Sequence, residues 1–189
     1  MARSTMADLI TLLRGMCDAG TADYTVASTA HWSDDQLEDA LERHRFDAFN
    51  EEMTAQDEYT GGSVIYKSYY HPRRNFEGGT ALKVLDVNGD AVSSSLYTAD
   101  PLRGVIVFAS NTAGASYYLS GACYDVESAA ADVWRRKAAH YAQAYNISTD
   151  NQRLDRGQMI QAALQMAQIY DGQARPGNIL IVRGDEWAR

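Results

Sequence analysis

The chain begins with an amphipathic pattern that gives way to a polar stretch. Apolar side chains recur at helical spacing, at Met6, Leu9, Ile10, Leu13 and Met16. This pattern predicts a helix over about residues 4–18, with Ser4 as its N-cap. Residues 20–30 are mostly polar and are expected to form a loop.

A second helix is expected to begin after Ser33. Ser33 followed by Gln36 is typical of a capping box, in which each side chain binds the other residue's backbone amide. An apolar stripe follows at helical spacing, formed by Leu37, Ala40, Leu41, His44 and Ala48. The stripe predicts a helix that ends between Thr54 and Asp57.

The middle of the chain is rich in residues that favour strands. Valine, isoleucine and tyrosine dominate residues 63–70. The Asn88-Gly89 pair is typical of a tight hairpin turn, because both residues tolerate positive φ. Strands are predicted at residues 63–70, 80–87, 91–98, 104–109 and 115–120. Residues 61–121 are therefore expected to form a compact antiparallel β-unit.

Helical spacing returns after Tyr124. Asp125 is the expected N-cap of a helix that runs to about residue 144, and a last helix is expected over about residues 151–171. Beyond this helix lies a tail, residues 176–189, with an apolar run and a tryptophan. The apolar residues of the tail are Ile179, Leu180, Ile181, Val182 and Trp187.

The order of these elements predicts an α+β fold. Helices at the two ends of the chain cannot bury their apolar stripes alone, so we expect them to pack together. The predicted architecture is a small helical bundle formed by N- and C-terminal helices with an inserted antiparallel β-unit. The bundle would comprise residues 1–60 and 122–175, the β-unit residues 61–121, and the docking tail residues 176–189.

The composition is that of a globular domain. The chain has 189 residues, of which 46% are hydrophobic and 22% charged, an ordinary balance for a single domain. No apolar run approaches the roughly 18 residues that a membrane helix needs, so no membrane partner is expected. Cys17 and Cys123 lack metal or redox spacing and are expected to be reduced thiols of a protein made in a cytoplasm.

The negative charge is concentrated near the start of the chain. The net charge is −8, and residues 1–60 hold 13 acidic and 4 basic side chains. This distribution lacks the basic patch of a phosphate-binding protein. The acids of the second helix form either a solvated face or a surface past which DNA slides without binding. These acids are Asp34, Asp35, Glu38, Asp39 and Glu42.

No residues have the spacing of a catalytic, cofactor or metal site. Asp86, Asn88 and Asp90 resemble the start of a calcium loop, but Ala91 stands in place of its glycine and Tyr97 in place of its glutamate. The four histidines form no metal-binding pair, and no nucleophile elbow, phosphate-binding loop or dinucleotide-binding glycine pattern occurs. We therefore expect no cofactor, no metal and no enzymatic activity; a small hydrolase with a site assembled by the fold stays an alternative.

Two segments are candidates for binding. The aromatic and basic run of the β-unit could be a protein interface, a sheet face with a charged edge, or a platform for bases or sugars. This run contains Tyr66, Tyr69, Tyr70, Arg73 and Arg74. The apolar run of the tail is too short for a core of its own, so it either adds to its own β-unit or inserts into a partner.

Several short runs resemble head–tail connector (adaptor) proteins of tailed bacteriophages. The resemblance covers mainly residues 8–56 and 96–174 and consists of packing and turn patterns. The runs are Asp-Asp-Gln-Leu at 34–37, Leu-Tyr-Thr-Ala-Asp at 96–100, Gly-Val-Ile-Val-Phe at 104–108, Tyr-Tyr at 117–118, Tyr-Asp-Val at 124–126 and Ala-Ala-Ala-Asp-Val-Trp at 129–134.

The resemblance implies a structural virion protein. Such adaptors form a ring, commonly of twelve copies, beneath the portal, extend the DNA channel and offer a docking surface to the next neck or tail protein. The five acids of the second helix are then expected to face this channel, where they would let DNA pass by repulsion. Their C-terminal segment commonly docks against the portal, which here implies Ile179, Leu180, Ile181, Val182 and Trp187. The implied location is the virion neck, with the host cytoplasm during assembly.

One departure from the family keeps alternatives open. The β-unit at residues 62–95 is larger than in the smallest connectors, so another neck component, such as a head-closure protein, is an alternative. A second alternative is a ligand- or carbohydrate-binding module that uses the tyrosines of the β-unit.

Overall fold

A computed structural model describes residues 1–143, 148–149, 152–153 and 156–174. Within these residues the fold is mixed α+β, as predicted, with four α-helices and antiparallel sheets. The helices are α1 (Ala7–Cys17), α2 (Asp34–Glu42), α3 (Val126–Gln143) and α4 (Arg156–Gln173). The strands are β1 (Tyr24–Val26), β2 (Thr29–His31), β3 (Arg45–Glu52), β4 (Thr54–Thr60), β5 (Ser63–Tyr70), β6 (Lys83–Leu85), β7 (Tyr97–Asp100), β8 (Val105–Phe108), β9 (Tyr118–Tyr124), β10 (Ser148–Thr149) and β11 (Gln152–Arg153).

The strands form two larger sheets and two short hairpins. One sheet has the order β4-β5-β8-β7 and the other β3-β9-β6, while β1 pairs with β2 and β10 with β11. Every pairing is antiparallel. The central strand of the smaller sheet, β9, leads through a single residue, Asp125, into α3.

A first hydrophobic core joins the helices near both ends of the described chain. It contains Leu9 and Leu13 of α1, Leu37 and Leu41 of α2, and Val133 of α3. The Trp134 indole of α3 and the Tyr170 hydroxyl of α4 both donate to the carbonyl oxygen of Met16, at 3.2 and 2.9 Å. These bonds hold α3 and α4 against the end of α1.

A second core lies between the two larger sheets. Its large side chains are Met53, Tyr69, Phe76, Ile106, Phe108 and Leu119. The two cores meet along β9, where Ala122 and Tyr124 belong to the first core and Leu119 and Cys123 to the second. This alternation follows from the period of a strand, which turns successive side chains to opposite faces.

The second helix begins where the sequence predicts but ends earlier than predicted. The Ser33–Gln36 capping box is confirmed, since each side chain bonds the other residue's backbone amide. The helix ends at Glu42, so its predicted extension to residues 54–57 is wrong. The chain instead forms β3 and β4, because β3 finds a partner in β9, with Arg45 opposite Tyr124.

Three other local predictions are corrected. Ser4 caps no helix, because α1 starts at Ala7 after a 3-10 turn and has no side-chain cap. The expected loop at residues 20–30 contains the β1–β2 hairpin. The Asn88-Gly89 turn is present, but the strand expected at residues 91–98 is interrupted. Ala91 forms one bridge, with Leu85, residues 94–96 form a 3-10 turn, and only residues 97–98 belong to a strand, β7.

Several predictions are confirmed closely. The strand predicted at residues 63–70 is β5, and the one at 104–109 contains β8. Asp125 caps α3, since its Oδ1 accepts from the Ser128 amide at 3.0 Å. The two helices predicted after Tyr124 are present as α3 and α4.

Candidate interaction surfaces

Two of the five predicted channel acids are engaged in a partly buried cluster around Arg3. The Arg3 Nε donates to Glu38 Oε1 at 2.6 Å, and the guanidinium also pairs with Glu42. A third carboxylate, that of the buried Glu77, lies 3.3 Å from Arg3 Nη1. The Tyr124 hydroxyl lies 3.0 Å from Glu42 and 3.1 Å from Glu77, and burial together with these carboxylates raises the pKa of Tyr124. The cluster ties the start of the chain to α2 and to the end of β9.

The other three acids of α2 are exposed. Asp34 accepts from Arg14 Nη2 at 2.6 Å, and Asp35 lies 3.1 Å from the Met1 nitrogen. Asp39 is exposed as well. The structure therefore divides the predicted acidic row into a structural pair, Glu38 and Glu42, and three acids on the surface.

The tyrosine- and arginine-rich run is likewise divided. Tyr69 is 0% exposed and belongs to the second core, where its hydroxyl binds Thr112 Oγ1 at 2.6 Å and the Ala115 carbonyl at 2.8 Å. Burial raises the pKa of Tyr69. Arg73 donates to Glu51 at 2.9 Å. Tyr66 is half-buried, whereas Tyr70 and Arg74 are exposed. Tyr69 is therefore a core residue, and the run does not form one continuous aromatic platform.

A buried polar group that the sequence did not reveal lies beneath this run. The His71 side chain is fully buried, its Nδ1 accepts from the Arg73 amide at 3.1 Å, and its Nε2 lies 3.3 Å from Glu51. Burial lowers the pKa of His71 and raises that of the nearby Cys123. A reactive cysteine needs a lowered thiol pKa, so these shifts favour a structural role for the group. No local spacing links Glu51, His71 and Cys123, and only the meeting of β3, β5 and β9 brings them together.

Both cysteines are free and buried. Burial raises the pKa of the Cys17 thiol to about 12. Among the described residues, no group of three His, Cys, Asp or Glu side chains is placed to hold a metal ion. In the same part of the chain, no helix has the length and apolar character needed to span a membrane.

The hairpin formed by β4 and β5 projects beyond its sheet. The two strands pair from Thr54 and Tyr70 to Thr60 and Ser63, whereas β8 pairs only with the last three residues of β5. We call residues 57–66 the hairpin arm. Near its tip, Tyr59 and Val64 are opposite one another and are 78% and 41% exposed. The sequence showed β5 but not its partner, so this arm was not predicted.

The predicted portal-docking residues Ile179, Leu180, Ile181, Val182 and Trp187 lie outside the described residues. The chain matches no protein-family profile, no curated protein and no solved structure.

Proposed function

We propose that the chain is a head–tail adaptor of a tailed bacteriophage, a structural protein without enzymatic activity. It assembles as a ring, of twelve copies by the resemblance, under the portal. The ring extends the DNA channel and provides the docking surface for the next neck or tail protein. DNA passes through without sequence-specific binding. The protein acts in the virion neck after assembly in the host cytoplasm.

The hairpin arm is the observation that carries this proposal. Apolar side chains that are exposed together on a projecting segment are a candidate contact surface for a partner. Tyr59 and Val64 have this arrangement, and Phe49 at the irregularity of β3 is 80% exposed. In a ring, each copy offers one surface to the next copy and receives a different surface from the previous one. A projecting arm suits such a head-to-tail contact.

The proposal includes an arrangement of the fold. The helices form one bundle, and the β-unit is inserted between α2 and α3 and includes β3 and β4. This division is supported by the two cores, because the first draws its residues from the segments before residue 42 and after residue 121. The second is built from residues 48–123.

The exposed acids fit a channel lining. Asp34, Asp35 and Asp39 share the outer surface of α2, where negative charge repels phosphate and lets DNA pass. Their place at the channel is part of the proposal. Glu38 and Glu42 have no part in it, since both bind Arg3.

The tail supplies the proposed contact with the portal. The test is native mass spectrometry of the full chain mixed with purified portal rings of tailed phages. We expect several copies to join each portal ring, and we expect Ile179→Asp combined with Ile181→Asp to abolish this binding. The matched control, Asn178→Ala, should bind as the unchanged chain does.

The outcomes separate the alternatives. Chains that stay monomeric and bind no portal ring would contradict the adaptor proposal. Binding to a portal–adaptor complex, but not to the portal alone, would assign the chain to a lower neck position such as head closure.

A further inference from the structure

A groove lies on the surface between the first and the second core. Residues of α1, of the start of α3 and of the segments 74–75 and 102–103 line it. Its floor is apolar and consists of Leu12 and Met16 of α1, Leu102, and Val126 at the start of α3. Its volume is about 350 Å³, near the lower limit for ligand pockets. An apolar floor of this size can receive a few aliphatic side chains.

The groove is also lined by one polar amide side chain, that of Asn75. Asn75 is only 7% exposed and lines the groove. Its backbone is fixed on both sides, since its amide donates to the Leu102 carbonyl and its own carbonyl accepts from Tyr124. Among the described residues, none forms a hydrogen bond with the Asn75 side chain. An extended backbone offers both a donor and an acceptor to this amide.

The rim of the groove is positively charged. Among the described residues, the exposed Arg74 pairs with no acid, and the Arg103 guanidinium has one ion pair, a long contact of 3.7 Å with Asp100. Within the described part of the chain, Glu127 is the one acid in the lining. The groove therefore fits an extended segment that has aliphatic side chains next to acidic ones.

The chain itself supplies such a segment beside the groove. Tyr170, near the end of α4, donates from its hydroxyl to the carbonyl oxygen of the groove residue Met16. Ala174 follows four residues later, about 6 Å along the axis, just after the end of the helix. Residues 175–178 can span up to roughly 13 Å. Residues 179–182 are then within reach of the groove, and Asp185 and Glu186 follow them in the sequence.

We propose that residues 179–186 of each chain dock in the groove of the same chain. Ile179, Ile181 and the neighbouring aliphatic residues cover the apolar floor, and the backbone of the segment bonds to the Asn75 amide. Asp185 and Glu186 pair with Arg74 and Arg103. The proposal does not depend on the phage function, since it needs no other protein.

An engineered disulfide in the full chain tests this contact. Leu12→Cys places a thiol on the groove floor at a partly exposed site, and Val182→Cys places one in the segment; both native cysteines are buried. The matched control joins Val182→Cys to Val87→Cys, an exposed site at the β6 turn. Under mild oxidation at low micromolar concentration, we expect the intrachain disulfide to form at least tenfold more in the first pair, measured by intact mass and peptide mapping.

Charge reversal tests the paired acids. Asp185→Lys combined with Glu186→Lys should reduce the disulfide yield at least threefold, and adding Arg74→Glu and Arg103→Glu should restore it. Equal yields in the groove pair and the control pair would overturn the proposal. A disulfide mainly between chains would overturn it too, because the segment would then occupy the groove of another copy.

The experiment contains no portal ring, so its failure and the failure of the adaptor proposal are distinguishable. If both proposals hold, the portal and the groove compete for the same residues. A portal ring added to the Leu12→Cys, Val182→Cys chain should then lower the yield of the intrachain disulfide.

Discussion

At the residue scale, the surroundings of Gly104 and Gly15 predict opposite effects of a glycine-to-alanine substitution on the free energy of unfolding. Gly104 has a φ of +68°, and a Cβ there would lie 2.3 Å from the Arg73 carbonyl oxygen. Gly104→Ala should therefore lower the free energy of unfolding by about 2 to 4 kcal/mol. Gly15 lies in α1 with no atom within 4 Å of its added Cβ, so Gly15→Ala should raise stability by about 0.5–1 kcal/mol.

Urea unfolding of the two variants checks this prediction. The Gly15 variant is the matched control, because it adds the same methyl group without strain or overlap. A Gly104→Ala chain as stable as the unchanged protein would contradict the positive φ of Gly104 and its close approach to the Arg73 carbonyl oxygen.

The buried His71 predicts a dependence of stability on pH. Burial lowers its pKa in the folded protein, below the value of about 6.5 of an exposed histidine. The unfolded chain therefore takes up a proton before the folded protein does. The stability contribution is present above about pH 6.5 and is lost as the pH falls from there towards the folded pKa.

Chemical denaturation at pH 7 and pH 5 measures this effect. His71→Asn should be less stable at pH 7 but lose less stability between the two pH values than the unchanged chain. Tyr69→Phe is the control, since it removes a buried hydroxyl and no group that titrates in this range. If the His71→Asn variant lost as much stability between pH 7 and pH 5 as the unchanged chain, other groups would cause the pH dependence.

The Arg3 cluster shows why such residue-scale sites were not predicted. Its carboxylates are distant in sequence, with Glu38 and Glu42 lying 35 and 39 positions from Arg3. No local pattern marks an ion pair at this separation, because only the folded chain brings the partners together. On sequence alone, the acids of α2 were equivalent; the structure separates Glu38 and Glu42 from Asp34, Asp35 and Asp39.

At the element scale, the end of α2 shows the limit of reading periodicity. Ala48 satisfies a helical stripe with Leu37, Leu41 and His44, but it also alternates with Phe46 as a strand requires. Both periods fit so short a stretch, and β9, some 75 residues away in the sequence, decides between them. The start of α2 was predictable because its capping box is formed by residues three positions apart.

That capping box predicts a stability change with a clear control. Ser33→Ala removes the acceptor for the Gln36 amide and should cost about 1 kcal/mol. Ser4→Ala changes a serine that caps no helix, so it should alter stability by no more than about 0.5 kcal/mol. Thermal unfolding followed by circular dichroism compares the two. Equal losses in the two variants would contradict the role assigned to Ser33.

At the scale of the whole molecule, we expect the hairpin arm to mediate association between copies of the chain while contributing little to folding stability. Tyr59→Ser combined with Val64→Ser should lower the free energy of unfolding by only about 1 kcal/mol, the value of a cross-strand pair, because both side chains are exposed. Self-association should weaken at least tenfold if the arm contacts a second copy.

Sedimentation velocity over a range of protein concentrations measures this change. Val87→Ser is the matched control, since Val87 is also exposed but lies in the turn after β6. Association that is equally strong in the arm variant would assign the contact between copies to another surface.

The strand β9 couples the unfolding of the two cores, because it contributes side chains to both. Cys123 packs in one core and Tyr124, the next residue, in the other, so neither core can come apart without disturbing the strand that both share. Local opening is therefore energetically coupled across the whole molecule. A calorimeter should record one heat-absorption peak, with the calorimetric and van't Hoff enthalpies in agreement, although the chain has two separate apolar interiors.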